Sequence, residues 1–183
     1  MNTASTTSES KRPTRLAWGP LSRFGLIVAA ATSAADQLSK LWVFTLDLGP
    51  RGKKPLTPFL NLVLTWNEGI SYGLLKQKGS LGQWALLILI AIALILLWIW
   101  LARATSRLTA AALGLIMGGA IGNAVDRLFH GAVADFIQFH ITTTVFSFEW
   151  YVFNLADAAI VAGVIGLLYE TLLCGDAVKA PRS

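Results

Sequence analysis

Apolar residues dominate four stretches of the chain, and polar residues crowd the segments between them. The stretches run from about Leu21 to Leu46, Leu81 to Leu101, Leu108 to Val125 and Val152 to Leu173. No Asp, Glu, Lys or Arg occurs from Gly79 to Ala102 or from Leu108 to Val125. An uncharged apolar run of roughly 18 or more residues is long enough to cross a bilayer as a helix. Trp42, Trp84, Trp98, Trp100 and Trp150 fall near the ends of these runs, where amphipathic rings favour the headgroup layer. The pattern predicts a single-domain membrane protein with four helical spans.

The first span also admits a cleavable leader. Lys11, Arg12, Arg15 and Arg23 precede a short apolar stretch, and TSAA precedes Asp36. Apolar character resumes in LWVF after Lys40, which argues for a retained span. Spans two and three are joined by a short connection, about Ala102 to Arg107, whereas segments 47–80 and 127–151 are long. Both long segments fall on one face of an up-and-down bundle, and that face is where function is expected. Within them, NLVLTWN (Asn61 to Asn67) alternates polar and apolar residues as a half-buried strand does. ITTTVFSFEW (Ile141 to Trp150) is β-branched and aromatic, and predicts a second strand. A small sheet on the membrane surface, with an apolar face toward lipid or a lipid-bearing substrate, follows.

Composition agrees. Of 183 residues, 55% are hydrophobic and 14% charged, against about 25% charged in soluble domains; mean hydropathy is +0.60. The net charge is +5, but the basic residues form no dense cluster, so anionic lipid headgroups are better partners than nucleic acid. Lysines and arginines in the tail, the short connection and the C-terminus favour both termini in the cytoplasm. Arg51, Lys53, Lys54, Lys76 and Lys78 in the first long segment oppose this. Cys174 is the only cysteine, so no disulfide forms within the chain; it reads as a small apolar filler.

The polar residues near the spans converge at one depth. Asp36 and Lys40 lie late in span one, and Asn123, Asp126 and Arg127 late in span three. Asn154 and Asp157 lie early in span four. Buried charge is costly in a membrane, about 2.5–3.5 kcal/mol at mid-span, so such a cluster points to a site. Asp36 and Lys40 have the favourable order for a helical ion pair, and a structural pair is as good a reading as a chemical one. Asp126 and Arg127 are adjacent and must find separate partners; Arg127 would reach headgroups, or hold a loop or substrate carbonyl. Asp135, in VADFI, and Asp157 have no basic residue at helical spacing. If they meet in a low-dielectric place they would share a proton, as aspartic peptide hydrolysis requires. Position alone leans toward plainer roles: Asp157 as a helix cap and Asp135 as a solvated loop acid.

Five ordered blocks carry a resemblance: DQLSK (Asp36 to Lys40), NEGISYG (Asn67 to Gly73), GGAIGNAVDR (Gly118 to Arg127), GAVADFI (Gly131 to Ile137) and FNLAD (Phe153 to Asp157). In this order they resemble lipoprotein signal peptidase, also called signal peptidase II. The resemblance implies an all-α bundle of four transmembrane helices, with a small β-sheet and a lid loop on the periplasmic face. It implies an aspartic endopeptidase of the bacterial inner membrane. That enzyme removes the signal peptide from diacylglyceryl-modified prolipoproteins, cutting N-terminal to the lipidated cysteine. Asp135 and Asp157 match the catalytic positions. Asp36, Lys40, Asn67, Gly69, Asn123, Asp126, Arg127 and Asn154 would bind substrate or support the site. Trp66, Ile70 and Tyr72 would form the lid, with Gly69 and Gly73 at its turns. Tyr72 stands where Phe is more common in the family, and Ala134 where Val is. No cofactor is implied, and a monomer working among membrane lipids is expected. The domain division expected is a disordered cytoplasmic tail 1–20, a peptidase domain 21–173 with extracytoplasmic loops 47–80 and 127–151, and a cytoplasmic C-terminal tail 174–183.

Two alternatives stand beside this. His130, Asp135, His140 and Asp157 would be the ligands of a metal-dependent membrane protease, although their spacing matches no known metal motif. Asp36 and Asp157 would be the coupling carboxylates of a small ion-coupled transporter.

Overall fold

Four helices and four strands alternate in blocks along the chain in a computed structural model that describes residues 18–46, 48, 52–69 and 80–174. The helices are α1 (Ser22–Phe44), α2 (Ser80–Arg103), α3 (Arg107–His130) and α4 (Leu155–Cys174). The strands are β1 (Lys53–Thr57), β2 (Leu60–Asn67), β3 (Val133–Thr142) and β4 (Ser147–Phe153). Among the described residues, three helical segments are long and apolar enough to cross a membrane: Gly82–Arg103, Arg107–His130 and Leu155–Leu172. Helix α1 has 23 residues but carries Asp36 and Lys40 in its second half.

Local chemistry sets the helix ends. The Ser106 hydroxyl accepts from the amides of Leu108 at 3.1 Å and Thr109 at 3.5 Å, an N-cap that starts α3 directly after α2. Helix α3 stops at Gly131, whose φ of 74° is left-handed, with its amide donating to Arg127 O at 3.1 Å. A glycine is favoured there because a side chain would strain that conformation. The reversal sends the chain straight into β3.

Helix α3 is the central element, packed between α1 and α4. One apolar core, of Ala29, Leu101, Ala104, Ala110, Leu113 and Met117, fills the end of the bundle away from the sheet. A second, of Val43, Leu62 and Phe136, joins the end of α1 to β2 and β3. Trp18, late in the expected tail, meets the Trp98 ring edge-on at 5.7 Å.

The strands form one antiparallel sheet in the order β1-β2-β3-β4. It curls so far that Lys53 on one edge strand reaches Glu149 on the other, Nζ to Oε1 3.0 Å. Strand β2 lies where alternation placed it. Strand β1 was not expected from the sequence. The expected strand at Ile141 to Trp150 is instead the end of β3, a turn, and the start of β4. Thr143 makes that turn: its hydroxyl accepts from Phe146 N at 3.0 Å, and its amide donates to Phe146 O at 2.7 Å. The fourth apolar run also divides, since Val152 and Phe153 belong to β4 and the helix begins at Leu155. Of the lid call, Ile70, Tyr72 and Gly73 lie outside the described residues, as do 1–17 and 175–183 of the tails.

Candidate active site

Asp157 is the third residue of α4, and its position is fixed by a reciprocal cap. The Asn154 side chain accepts from the Asp157 amide at 2.9 Å, while Asp157 Oδ2 accepts from the Asn154 amide at 3.3 Å. Each satisfies an amide that the first helical turn leaves free, in the manner of a capping box. The expectation that Asp157 caps its helix therefore holds. It also faces a cavity, so capping does not exhaust its role.

Asp135 is not a solvated loop acid. It lies within β3 and is 3% exposed. Antiparallel register sets Asp135 opposite Thr65 and Val133 opposite Asn67, so Asn67 is a diagonal neighbour on the same face. Its amide donates to Asp135 Oδ2 at 3.1 Å. On the other side Ile137 pairs with Phe153, the last residue of β4, which brings Asn154 alongside Asp135. Asn154 Nδ2 donates to Asp135 Oδ1 at 2.7 Å and to Asn123 Oδ1 at 3.0 Å. Asn123 Nδ2 in turn donates to Asp157 Oδ1 at 2.9 Å. Two carboxylates far apart in sequence are thus joined through two neutral amides. Burial pushes the Asp135 carboxyl from the ordinary 3.8 up to about 6, and the nearby Asp157 charge adds to the rise. Hydrogen bonds from Asn67 and Asn154 and the charge of Lys40 act the other way. A carboxyl raised on folding contributes stability below its unfolded pKa and loses that contribution as pH rises through about 6.

The charged residues of α1 and α3 meet beside this pair. Lys40 Nζ lies 2.6 Å from Asp36 Oδ2 and 2.7 Å from Asp126 Oδ2, with all three side chains buried. The expected Asp36–Lys40 ion pair is present, and Asp126 joins it from 86 residues away. Gln37 Nε2 donates to Asp126 Oδ1 at 2.9 Å and to Gly122 O at 3.1 Å. Gly122 allows the approach, because a Cβ there would lie 2.5 Å from Asp36 Oδ2.

Arg127 takes the loop-holding role. Its Nη2 donates to Gly69 O at 3.1 Å and its Nη1 to Asn123 O at 3.2 Å. The Gly69 amide donates to Asn67 Oδ1 at 3.1 Å, so the Asn67–Gly69 turn is held from both sides. Among the described glycines a left-handed backbone occurs at Gly52 and Gly131. Trp66 stacks on Phe44 at 5.8 Å instead of standing free as a cover. Every site residue read from the sequence falls within this network.

Gln37 and Gln83 are additions. Gln83 Nε2 donates to Arg127 O at 2.5 Å and ties the start of α2 to the end of α3. Gln37 carried a signal, an amide inside an apolar span next to Asp36. Gln83 carried none beyond being polar near a span end.

A cavity of about 320 Å³ opens beside Asp157. Asn67, Asn123, Arg127 and Asp157 line its polar end. Leu86, Leu89, Ile90 and Ala93 of α2, Ala120 of α3, Val133 of β3 and Ile160 of α4 line the remainder. It holds polar groups at one end of an apolar groove between α2, α3 and α4.

The histidines do not join the site. The His130 ring lies 5.3 Å from Trp66 and 6.2 Å from Phe44, and His140 Nδ1 lies 2.9 Å from Asn61 Nδ2. Among the described residues no three His, Cys, Asp or Glu gather in a group able to hold a metal ion. The transporter reading also lacks support. Among the described residues, the buried charges Asp36, Lys40, Asp126 and Asp135 lie at one end of the bundle, and no chain of them continues through it.

Residues 28–173 match a family model described as signal peptidase (SPase) II. The chain is 53% identical over 160 residues to a lipoprotein signal peptidase of Nitrobacter hamburgensis, covering 87% of this chain and 98% of that one. It is 52% identical over 162 residues to one of Methylorubrum extorquens, covering 88% and 91%. A solved bacterial membrane enzyme has a similar fold, with a TM-score of 0.71 and 27% identity, over 88% of this chain and 94% of that one.

Proposed function

The chain belongs to the signal peptidase II family of aspartic peptidases, and from that premise we propose that Asp135 and Asp157 are its catalytic dyad. It acts on prolipoproteins at the bacterial inner membrane. The observation that carries the dyad is the amide bridge: Asn154 donates to Asp135 and caps against Asp157 at the mouth of an apolar groove.

In the resting site the two carboxyls hold one proton between them, because two close anions in a poorly solvated place repel. The ionised member takes a proton from water, and the hydroxide attacks the carbonyl carbon preceding the lipidated cysteine. The protonated member gives its proton to the carbonyl oxygen. As the tetrahedral species collapses, the C–N bond breaks, the amine of the cysteine leaves with a proton from the acid formed in the first step, and one hydroxyl of the tetrahedral carbon returns its proton to the other carboxylate, which restores the one-proton pair. The asparagines orient both carboxyls without adding charge that would pair with either. Arg127 holds the Asn67–Gly69 turn at the cavity's polar end, and Gln83 holds Arg127's own turn.

The groove between α2 and α4 takes the apolar parts of the substrate. The site lies at the periplasmic face, with α1 as a fourth membrane span and both termini in the cytoplasm. Residues 21–173 form the peptidase domain, and the tails on either side are cytoplasmic. The exposed rings of Phe146, Phe148 and Trp150, stacked along the β3–β4 hairpin at 6.2 and 5.6 Å, are suited to the lipid surface. The enzyme works as a monomer.

A cleavage assay on a prolipoprotein with and without its diacylglyceryl group tests this. Wild-type protein should cut only the lipidated form, and Asp135→Asn and Asp157→Asn should cut neither. Efficient cutting by either variant would end the dyad assignment.

A further inference from the structure

We infer that Asp36, Lys40 and Asp126 form a clasp that sets the separation of the two catalytic carboxyls, with Gln37 as its fourth member. The inference rests on Asp135 and Asp157 being the dyad. Asp36 Oδ1 accepts from the amide of Ala156 at 3.0 Å, and Ala156 is the residue before Asp157. Asp126 Oδ2 accepts from the amide of Ala134 at 3.1 Å, and Ala134 is the residue before Asp135. Lys40 binds both carboxylates, at 2.6 and 2.7 Å.

The symmetry is physical. Each catalytic residue is entered through a peptide plane whose preceding amide is gripped by a buried carboxylate. Peptide units are planar, so a single pair of dihedrals separates each gripped amide from the catalytic Cα. Both gripped residues are alanines that are 0% exposed, so the carboxylates approach without a bulky side chain in the way. The ammonium group then fixes the distance between the two grips. Helix α4 and strand β3, which carry the catalytic residues, are pinned through it to one point on α1. Gln37 holds the second oxygen of Asp126 and the carbonyl of Gly122, which stops the Asp126 carboxylate from turning away. The four residues are positioning residues: Asp36 and Asp126 hold backbone beside the dyad, Lys40 and Gln37 hold those two carboxylates, and none touches the dyad's own carboxyls.

A purely structural ion cluster would change stability and leave the turnover of folded protein alone. A clasp on the dyad changes kcat, because proton sharing depends on carboxyl separation, and leaves KM nearly alone, because most of the cavity's apolar lining comes from α2 and α4. The test is steady-state cleavage of a lipidated prolipoprotein by full-length protein purified in detergent. Asp36→Asn, Asp126→Asn and their double variant are compared, with thermal unfolding used to count folded molecules. Each single variant should lower kcat by about 10- to 100-fold with KM unchanged. The double variant should lose less than the product of the two, because both act through Lys40. Gln37→Leu keeps every ion pair and should fold even if the others do not; it should lower kcat by a smaller factor, again without moving KM. Wild-type kcat in folded variants, losses confined to KM, or losses that multiply would each overturn the clasp. Asp135→Asn and Asp157→Asn run in the same assay separate the two ideas. If they still cut, the dyad is wrong. If they are inactive while the clasp variants turn over normally, only the clasp is wrong.

Discussion

Asp36 and Asp126 share a lysine, whereas Asp135 and Asp157 share asparagines. All four lie at one end of the same bundle, and Asp36, Asp126 and Asp135 are nearly inaccessible to water. Both members of the first pair lie within hydrogen-bonding distance of the Lys40 ammonium group. The second receives only neutral donors, from Asn67, Asn123 and Asn154. A cation between two carboxylates offsets their mutual repulsion and makes a fixed strut. Amides between two carboxylates leave their mutual repulsion in place, so a proton can be held and passed on. Position in the fold does not decide which aspartates do chemistry; their partners do.

The contrast is broken most severely at the amide-bridged pair. Asp135→Asn or Asp157→Asn should reduce cleavage by roughly 10²–10⁴-fold while thermal unfolding in detergent stays close to wild type. Removing the cation from the other pair should strike stability first and lower the turnover of the molecules that still fold. Lys40→Met leaves two buried carboxylates facing each other and should cost about 3–5 kcal/mol of stability, seen as an earlier unfolding transition. If unfolding is unchanged, the strut is not what holds α1 to α3 and α4.

A gentler change sharpens the comparison. Donation from Asn67 favours the ionised form of Asp135 and so lowers its pKa. Asn67→Ala removes that donor, so Asp135 should keep its proton to higher pH. The alkaline limb of kcat/KM should then move upward from its wild-type position. A downward shift would contradict the assigned hydrogen bond. The smallest effect is expected at the exposed ion pair of the sheet, where Lys53 and Glu149 are 37% and 55% exposed. Lys53→Ala should change stability by no more than about 1 kcal/mol and leave cleavage unaltered.

The helices were legible because the apolar runs are long and nearly free of charge. The site was legible as a set of polar residues at one depth, since α1, α3 and α4 carry them at matching ends. What one sequence does not display is pairing across distance. Lys40 to Asp126 and Asn154 to Asp135 depend on how α3 packs on α1 and how β3 registers with β4. Strand β1, KKPLT, escaped notice because it is short, charged and contains a proline. The boundary between β3 and β4 escaped because its turn, Thr143 to Phe146, has no glycine or proline to mark it. Asp135 then read as a loop acid, because the strand around it was not seen. Gln37 and Gln83 are neutral amides whose importance lies wholly in what they touch.

The most direct measurement is the side-chain titration of Asp135, followed by carboxyl-selective NMR or infrared spectroscopy on isotope-labelled protein, with and without Asp157→Asn. Burial, with the Asp157 charge beside it, predicts a midpoint near 6 for Asp135 in the wild-type protein. A shared proton predicts a lower midpoint in Asp157→Asn, where the neighbouring negative charge is gone. An Asp135 midpoint at the ordinary carboxylate value, indifferent to Asp157→Asn, would contradict it.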